Sequence, residues 1–178
     1  NAAHAFGTIV LSAKGSATIG DASSLTVGNA TVGGDLTLLS KGDLIFTKSI
    51  QLLKGALVAV AGWSGSGASV ASGTYGNNGR SITIGGSGAS GDVAVGSASG
   101  ATTLAGADIN LQAINGFAQI GYHGGGSGAI NVFATDDVTL AGGSSSNFFA
   151  QIGDGGYKTD GTSNATISVI AGGDIALN

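Results

Sequence analysis

The stretch Gly34-Asp35-Leu36-Thr37-Leu38-Leu39-Ser40-Lys41-Gly42-Asp43-Leu44-Ile45-Phe46 states one short unit twice: Gly-Asp, then an apolar residue, any residue and a second apolar residue. Alternation with period 2 marks a strand that buries one face, so each unit points two side chains inward and one outward. The Gly permits a turn that other residues resist, and the Asp carboxylate is expected to accept nearby backbone N–H groups as the chain straightens. Each unit therefore predicts a corner followed by a strand of roughly three to five residues.

The unit recurs as Gly91-Asp92-Val93-Ala94-Val95 and Gly173-Asp174-Ile175-Ala176-Leu177. Without the Gly it returns as Ala107-Asp108-Ile109-Asn110-Leu111 and Asp136-Asp137-Val138-Thr139-Leu140. Other apolar-x-apolar triplets extend the pattern, among them Ile9-Val10-Leu11, Leu25-Thr26-Val27, Ile50-Gln51-Leu52, Val58-Ala59-Val60, Ile82-Thr83-Ile84, Ile130-Asn131-Val132 and Ile167-Ser168-Val169. Residues 117–178 hold a longer two-copy repeat, in which Phe117-Ala118-Gln119-Ile120-Gly121 returns as Phe149-Ala150-Gln151-Ile152-Gly153. Each copy leads through a Gly-rich turn to an Ile-x-Val strand, and such repetition predicts units that bury one another.

A β-sandwich prefers evenly spaced, longer strands joined by tight hairpins, and a propeller repeats at about 40 to 50 residues; neither pattern occurs. An all-β solenoid, a parallel β-helix, fits better. With roughly three short strands per coil the chain would make about six coils, each rising ~4.8 Å. The expected organisation is a single segment over 1–178 with longer corner loops at 62–80 and 154–166, internal to a longer chain or fibre.

Composition points the same way. Gly occurs 35 times in 178 residues, Pro, Cys, Met and Glu are missing, and the charged residues are Asp, Lys and the lone Arg80. Gly costs roughly 1 kcal/mol against Ala inside a helix, which disfavours helices. A hydrophobic content of 42% sets the chain apart from disordered Gly- and Ser-rich sequences. The net charge of −4 argues against electrostatic capture of nucleic acid or anionic membrane. Lys14, Lys41, Lys48 and Lys54 gather in the first third and read as a solvated face. The longest apolar run, Ala56 to Ala61, falls far short of the roughly 18 residues that suggest a membrane-spanning helix, so membrane insertion is not expected.

The region from Gly106 to Asn178, with its two Phe-Ala-Gln-Ile-Gly elements, the Gly-Gly turns at Gly124-Gly125 and Gly155-Gly156 and the closing Ala171-Gly172-Gly173-Asp174-Ile175, resembles repeats of filamentous-haemagglutinin-like exoproteins. The pieces Gly34 to Leu38 and Gly42 to Phe46 look similar. The resemblance implies a right-handed parallel β-helix, two-partner secretion through an outer-membrane β-barrel transporter, and a place in a surface adhesin or its stalk. The Asn-Pro-Asn-Leu element of that family's secretion domain has no counterpart, since the chain contains no Pro.

Catalytic motifs are weak. His123-Gly124-Gly125-Gly126 matches an esterase oxyanion pattern, but the Gly-x-Ser-x-Gly nucleophile elbow is absent. Gly86-Ser87-Gly88-Ala89-Ser90-Gly91 matches a dinucleotide-binding pattern yet runs into a strand rather than a helix, so it reads as a turn. Neither a calcium-binding nonapeptide nor an EF-hand loop is matched at Asp154 to Asp160, and no cofactor or metal is expected. Contact with a partner falls most naturally on the loops, at Trp63, Tyr75, Arg80 and Tyr157, whose rings and guanidinium suit a host glycan or protein receptor. The plainer reading folds Trp63 back over the solenoid wall. Asn29-Ala30-Thr31 and Asn164-Ala165-Thr166 are glycosylation sequons, relevant only in a host that modifies exported proteins.

The function expected is therefore a secreted, cell-surface structural segment without catalysis, packed on neighbouring coils of its own or another copy. A self-assembling fibre subunit and a polysaccharide-active β-helix enzyme are the alternatives.

Overall fold

The computed structural model describes residues 4–64 and 79–178. Among these residues there is no helix, and the strands form three parallel sheets. The first sheet stacks β1 (Thr8–Ala13), β3 (Leu25–Val32), β5 (Leu44–Phe46), β8 (Ile82–Gly85), β11 (Ile109–Gln112), β14 (Val138–Ala141) and β17 (Ile175–Leu177) in that order. The second stacks β2 (Ala17–Asp21), β4 (Leu36–Ser40), β7 (Leu57–Ala61), β10 (Thr102–Gly106), β13 (Ile130–Ala134) and β16 (Ile167–Ala171). The third holds β6 (Ile50–Leu52), β9 (Val93–Ser97), β12 (Ala118–Ile120) and β15 (Ala150–Ile152). Neighbours within a sheet come from successive passes of the chain, as in a solenoid.

Pairing brings equivalent positions of the repeated unit together. In the first sheet Leu25 pairs with Leu44, Leu44 with Ile82, Ile82 with Ile109, Ile109 with Val138 and Val138 with Ile175. The two copies of the longer repeat meet as Ala118 on Ala150, Gln119 on Gln151 and Ile120 on Ile152. Inward columns of Leu, Ile, Val and Phe join into one core from Leu25 to Val138. The third sheet starts only at β6. Before it, β3 continues past an irregularity at Gly28 and pairs with β1 along its whole length, so one bent strand stands where later passes place two.

One strand is turned over relative to the expectation. In Val58-Ala59-Val60 the alternation assigned the two Val side chains inward, whereas the core takes Leu57, Ala59 and Ala61. Val60 lies on the opposite side, in a small apolar cluster with Leu39 and Ala105 against which Trp63 packs. Every residue of β7 is apolar, so alternation could not choose the inner face.

The corner Asp residues act across passes more than within their own turns. Asp43 Oδ1 accepts from the N–H of Ser81 at 3.0 Å, Asp35 Oδ1 from Ala56 at 2.8 Å, Asp92 Oδ1 from Phe117 at 3.1 Å and Asp137 Oδ1 from Asp174 at 2.7 Å. Ser16 and Ser24 play the same part for the N–H groups of Asp35 and Asp43, each at 3.0 Å. In-register stacking causes this, because the residue entering a strand lies beside its counterpart on the next pass. Gly85, at φ 84°, turns the chain out of β8 where a Cβ would collide with the carbonyl of Gln112.

Val138 and Ile120 are fully buried. Val138→Asp or Ile120→Asp is expected to cost several kcal/mol in urea unfolding, on the order of 3 or more, while Thr139→Asp on the outward side costs under about 1 kcal/mol. Asp43→Ala should lose about 1 kcal/mol by leaving the Ser81 N–H without its acceptor, and Asp43→Asn should keep most of it. Equal melting curves for Asp43→Ala and the parent protein would show that the corner bonds do not hold the passes together.

Candidate functional site

The loop residues singled out from sequence go to separate places. Trp63 and Arg80 flank the connection from β7 to β8, and Tyr75 lies outside the described residues. Trp63 is half-buried: its main-chain N–H donates to the Ser40 carbonyl at 2.8 Å and its ring covers Leu39, Val60 and Ala105 beside Phe133. The ring thus folds back on the outer face of the second sheet, the plainer of the two expectations. Arg80 is exposed, and its carbonyl accepts the Ala107 N–H at 2.7 Å. Tyr157 belongs to a different corner, between β15 and β16, where it is 48% exposed with the Lys158 ammonium 5.1 Å from its ring centre.

A polar corner forms where the chain leaves the third sheet, and it brings together His123 and Asp154, which the sequence presents only as separate, incomplete motifs. Gln119 occupies an outward position of β12, yet it is 0% exposed because the loops after β12 and β15 fold over it. Its Nε2 donates to the carbonyl of Gly153 at 2.7 Å, to that of Gly155 at 3.1 Å and to that of Tyr122 at 3.3 Å. Tyr122 joins the same loops from the other side, its N–H donating to Asp154 Oδ1 at 2.7 Å and its carbonyl accepting from the Gly155 N–H at 3.0 Å. Gln51, on β6, reaches past β9 to the loop after β12, Nε2 donating to the Gly121 carbonyl at 3.2 Å and Oε1 accepting the His123 N–H at 2.6 Å. The His123 ring stacks on Phe117 at 4.6 Å, and Phe117 stacks on Phe149 at 5.0 Å.

Gln119 Oε1, His123 Nε2 and Asp154 Oδ2 are buried at this corner without a hydrogen-bond partner among the described residues. Three carbonyls around Nε2 fix the orientation of the Gln119 amide, so its oxygen must face away from them, toward His123 and Gly156. A Cβ on Gly156 would lie 3.3 Å from His123 Nε2 and 3.5 Å from Gln119 Oε1, and Gly keeps that approach open. Burial raises the Asp154 carboxyl above its usual range, opposed by the Tyr122 N–H and the Ser163 hydroxyl. The chemistry within reach is hydrogen bonding and a single imidazole. Among the described residues no group of three or more His, Cys, Asp or Glu is placed to hold a metal ion. The sequence offers three signals for this corner: the His123-Gly124-Gly125-Gly126 run and the Asp154 loop, each set aside as a catalytic or calcium motif, and the Gln shared by Ile50-Gln51-Leu52 and the two Phe-Ala-Gln-Ile-Gly copies.

A second buried carboxylate, Asp21, is fully bonded. Burial would raise its pKa, but the N–H groups of Phe6 and Ser23, the Ser23 hydroxyl and the nearby His4 charge outweigh it and hold the carboxyl below the usual range. Asp21 therefore contributes stability that is present above the ordinary carboxylate range and lost as pH falls through its own lowered value. Asp154 has the opposite sign: its ionised form opposes folding at neutral pH, and that cost is relieved as pH falls through its raised value. In urea titrations, Asp21→Asn should lower stability near neutral pH and flatten the loss in acid. Asp154→Asn should remove the acid-side gain. A parallel shift of both variants at every pH would contradict these assignments.

Comparison with protein-family models, with curated proteins and with solved structures finds no match to this chain.

Proposed function

We propose that the chain is a right-handed parallel β-helix of about six coils that serves as a stiff, non-catalytic stalk or scaffold in a secreted bacterial surface adhesin. The observation that carries this reading is the unbroken core from Leu25 to Val138, shared by all three sheets. A rod built this way resists bending because its main-chain hydrogen bonds run along its length and its apolar columns exclude water. The likeness to filamentous-haemagglutinin-type repeats supports export through an outer-membrane transporter and display at the cell surface. In this reading a host glycan or protein is met by other parts of the adhesin, and this segment sets their reach. Replacing the segment in the displayed adhesin by an unrelated solenoid of equal length should keep cell binding, whereas deleting it should shorten the reach and weaken binding. Loss of binding on replacement would assign recognition to the segment itself and overturn the stalk role.

A second reading, a fibre subunit stacked end to end, rests on the last pass. Ile130 and Val138 are 1% and 0% exposed, while Ile167 and Ile175, which pair with them, are 46% and 52% exposed. These side chains present an apolar edge on which a coil of another copy can pack. Light scattering across concentration separates the two: growth of particle size with concentration favours the fibre, and a constant monomer removes it.

A further inference from the structure

The outer face of the second sheet carries a column that is apolar although it points away from the core. Gly20 pairs with Leu39, Leu39 with Val60, Val60 with Ala105, Ala105 with Phe133 and Phe133 with Ile170. Trp63 packs on the middle of this column and reaches its first member, where a Cβ on Gly20 would lie 3.6 Å from ring atom Cζ3. At the other extreme Ile170 stands outward on the edge strand β16 and is 55% exposed. The column thus starts at a glycine beside an aromatic ring and ends at a large branched side chain. The inner columns have the same form. Ala17 and Ile9 are half-buried on the first pass, while Ile167 and Leu177, which occupy the same two columns, are 46% and 77% exposed on the last.

Charge is also divided along the axis. Through β7, four Lys stand against three Asp, a net +1, and residues 62–78 carry no charged side chain. From Gly79 onward, Arg80 and Lys158 stand against seven Asp, a net −5. Two last passes brought together therefore repel each other, and a last pass meeting a first pass does not.

Resting on the end-to-end reading above, we propose that a second copy of the chain docks head to tail, its β2 beside β16 and its β1 beside β17, in the register that the passes keep. Ile170 then lies beside Gly20 of the second copy, against that copy's Trp63 ring, with Ile167 beside Ala17 and Leu177 beside Ile9. Large side chains meet small ones at two of these three contacts, which gives the junction room to close. A coaxial junction of this polarity makes every new strand pair parallel, as the existing pairs are. The second half of β1 stands opposite β15, as that of β3 stands beside β6.

The whole chain contains no Cys, so two variants report the polarity: Thr18→Cys and Ser168→Cys, at outward positions that the docking sets side by side. Neighbouring strands lie ~4.8 Å apart, inside the Cα range of a disulfide, about 4.4–6.8 Å. Mixed under oxidised glutathione, the two variants should give at least about tenfold more crosslinked dimer than either gives alone. Adding Ile170→Asp to the Ser168→Cys chain should lower the mixed yield about tenfold without moving the melting temperature, since Ile170 is exposed on its own copy. Ser168→Cys chains crosslinking among themselves as readily as with Thr18→Cys chains would overturn the polarity, and a mixed yield unmoved by Ile170→Asp would overturn the register. Growth of particle size in either case leaves the end-to-end reading standing. Absence of any crosslink overturns the proposal, and with a constant monomer by light scattering it removes the end-to-end reading too.

Discussion

The in-register parallel ladder between successive passes is the constraint from which the remaining features follow. Once Leu25 lies beside Leu44 and Ile82 beside Ile109, every position of the repeated unit becomes a column, and whatever one pass places there the next must match. Inward columns must be apolar throughout. Corner columns must accept the N–H groups that enter the following strand, which is why Asp and Ser recur before strands. The buried polar groups obey the same rule: Ser40 Oγ donates to the Ser23 carbonyl, Ser97 Oγ to that of Gly55, and Thr102 Oγ1 accepts the Ser97 N–H. Each ties one pass to another or one strand to the corner before it.

Much of this was legible because a column repeats in sequence as well as in space. Apolar-x-apolar triplets such as Leu36-Thr37-Leu38 and Ile82-Thr83-Ile84 have the inner face that alternation assigns, and the two Phe-Ala-Gln-Ile-Gly copies lie side by side. Alternation failed at Leu57-Val58-Ala59-Val60-Ala61, where both faces are apolar and the outer one is covered by Trp63 and Phe133. The corner Asp residues were read as acceptors, but the donors lie one pass away, a relation that local turn chemistry does not reveal.

The polar corner was hidden for another reason. An outward Gln on a short strand looks like a solvent-facing residue, and Gln119 is buried only because two loops, far apart in sequence, close over it. Its neighbours divide into groups with partners and groups without, so the corner combines a dense hydrogen-bond network with three unsatisfied atoms. Fully bonded, such a network fixes loop positions; incompletely bonded, it opposes folding by about 1–3 kcal/mol per buried atom. The stacked rings of His123, Phe117 and Phe149 offset part of that opposition beside it.

The bent β3 gives the stack a direction. Early passes round one side of the stack with a single continuous strand, and later passes divide the same stretch between two, so the third sheet begins within the stack while the first and second run along its described length. A break between two strands is also a place where a loop can grow, and a continuous strand offers none. Outward decoration at that corner is therefore open only from β6 onward, as the differing lengths of the connections after β5, β8, β11 and β14 illustrate.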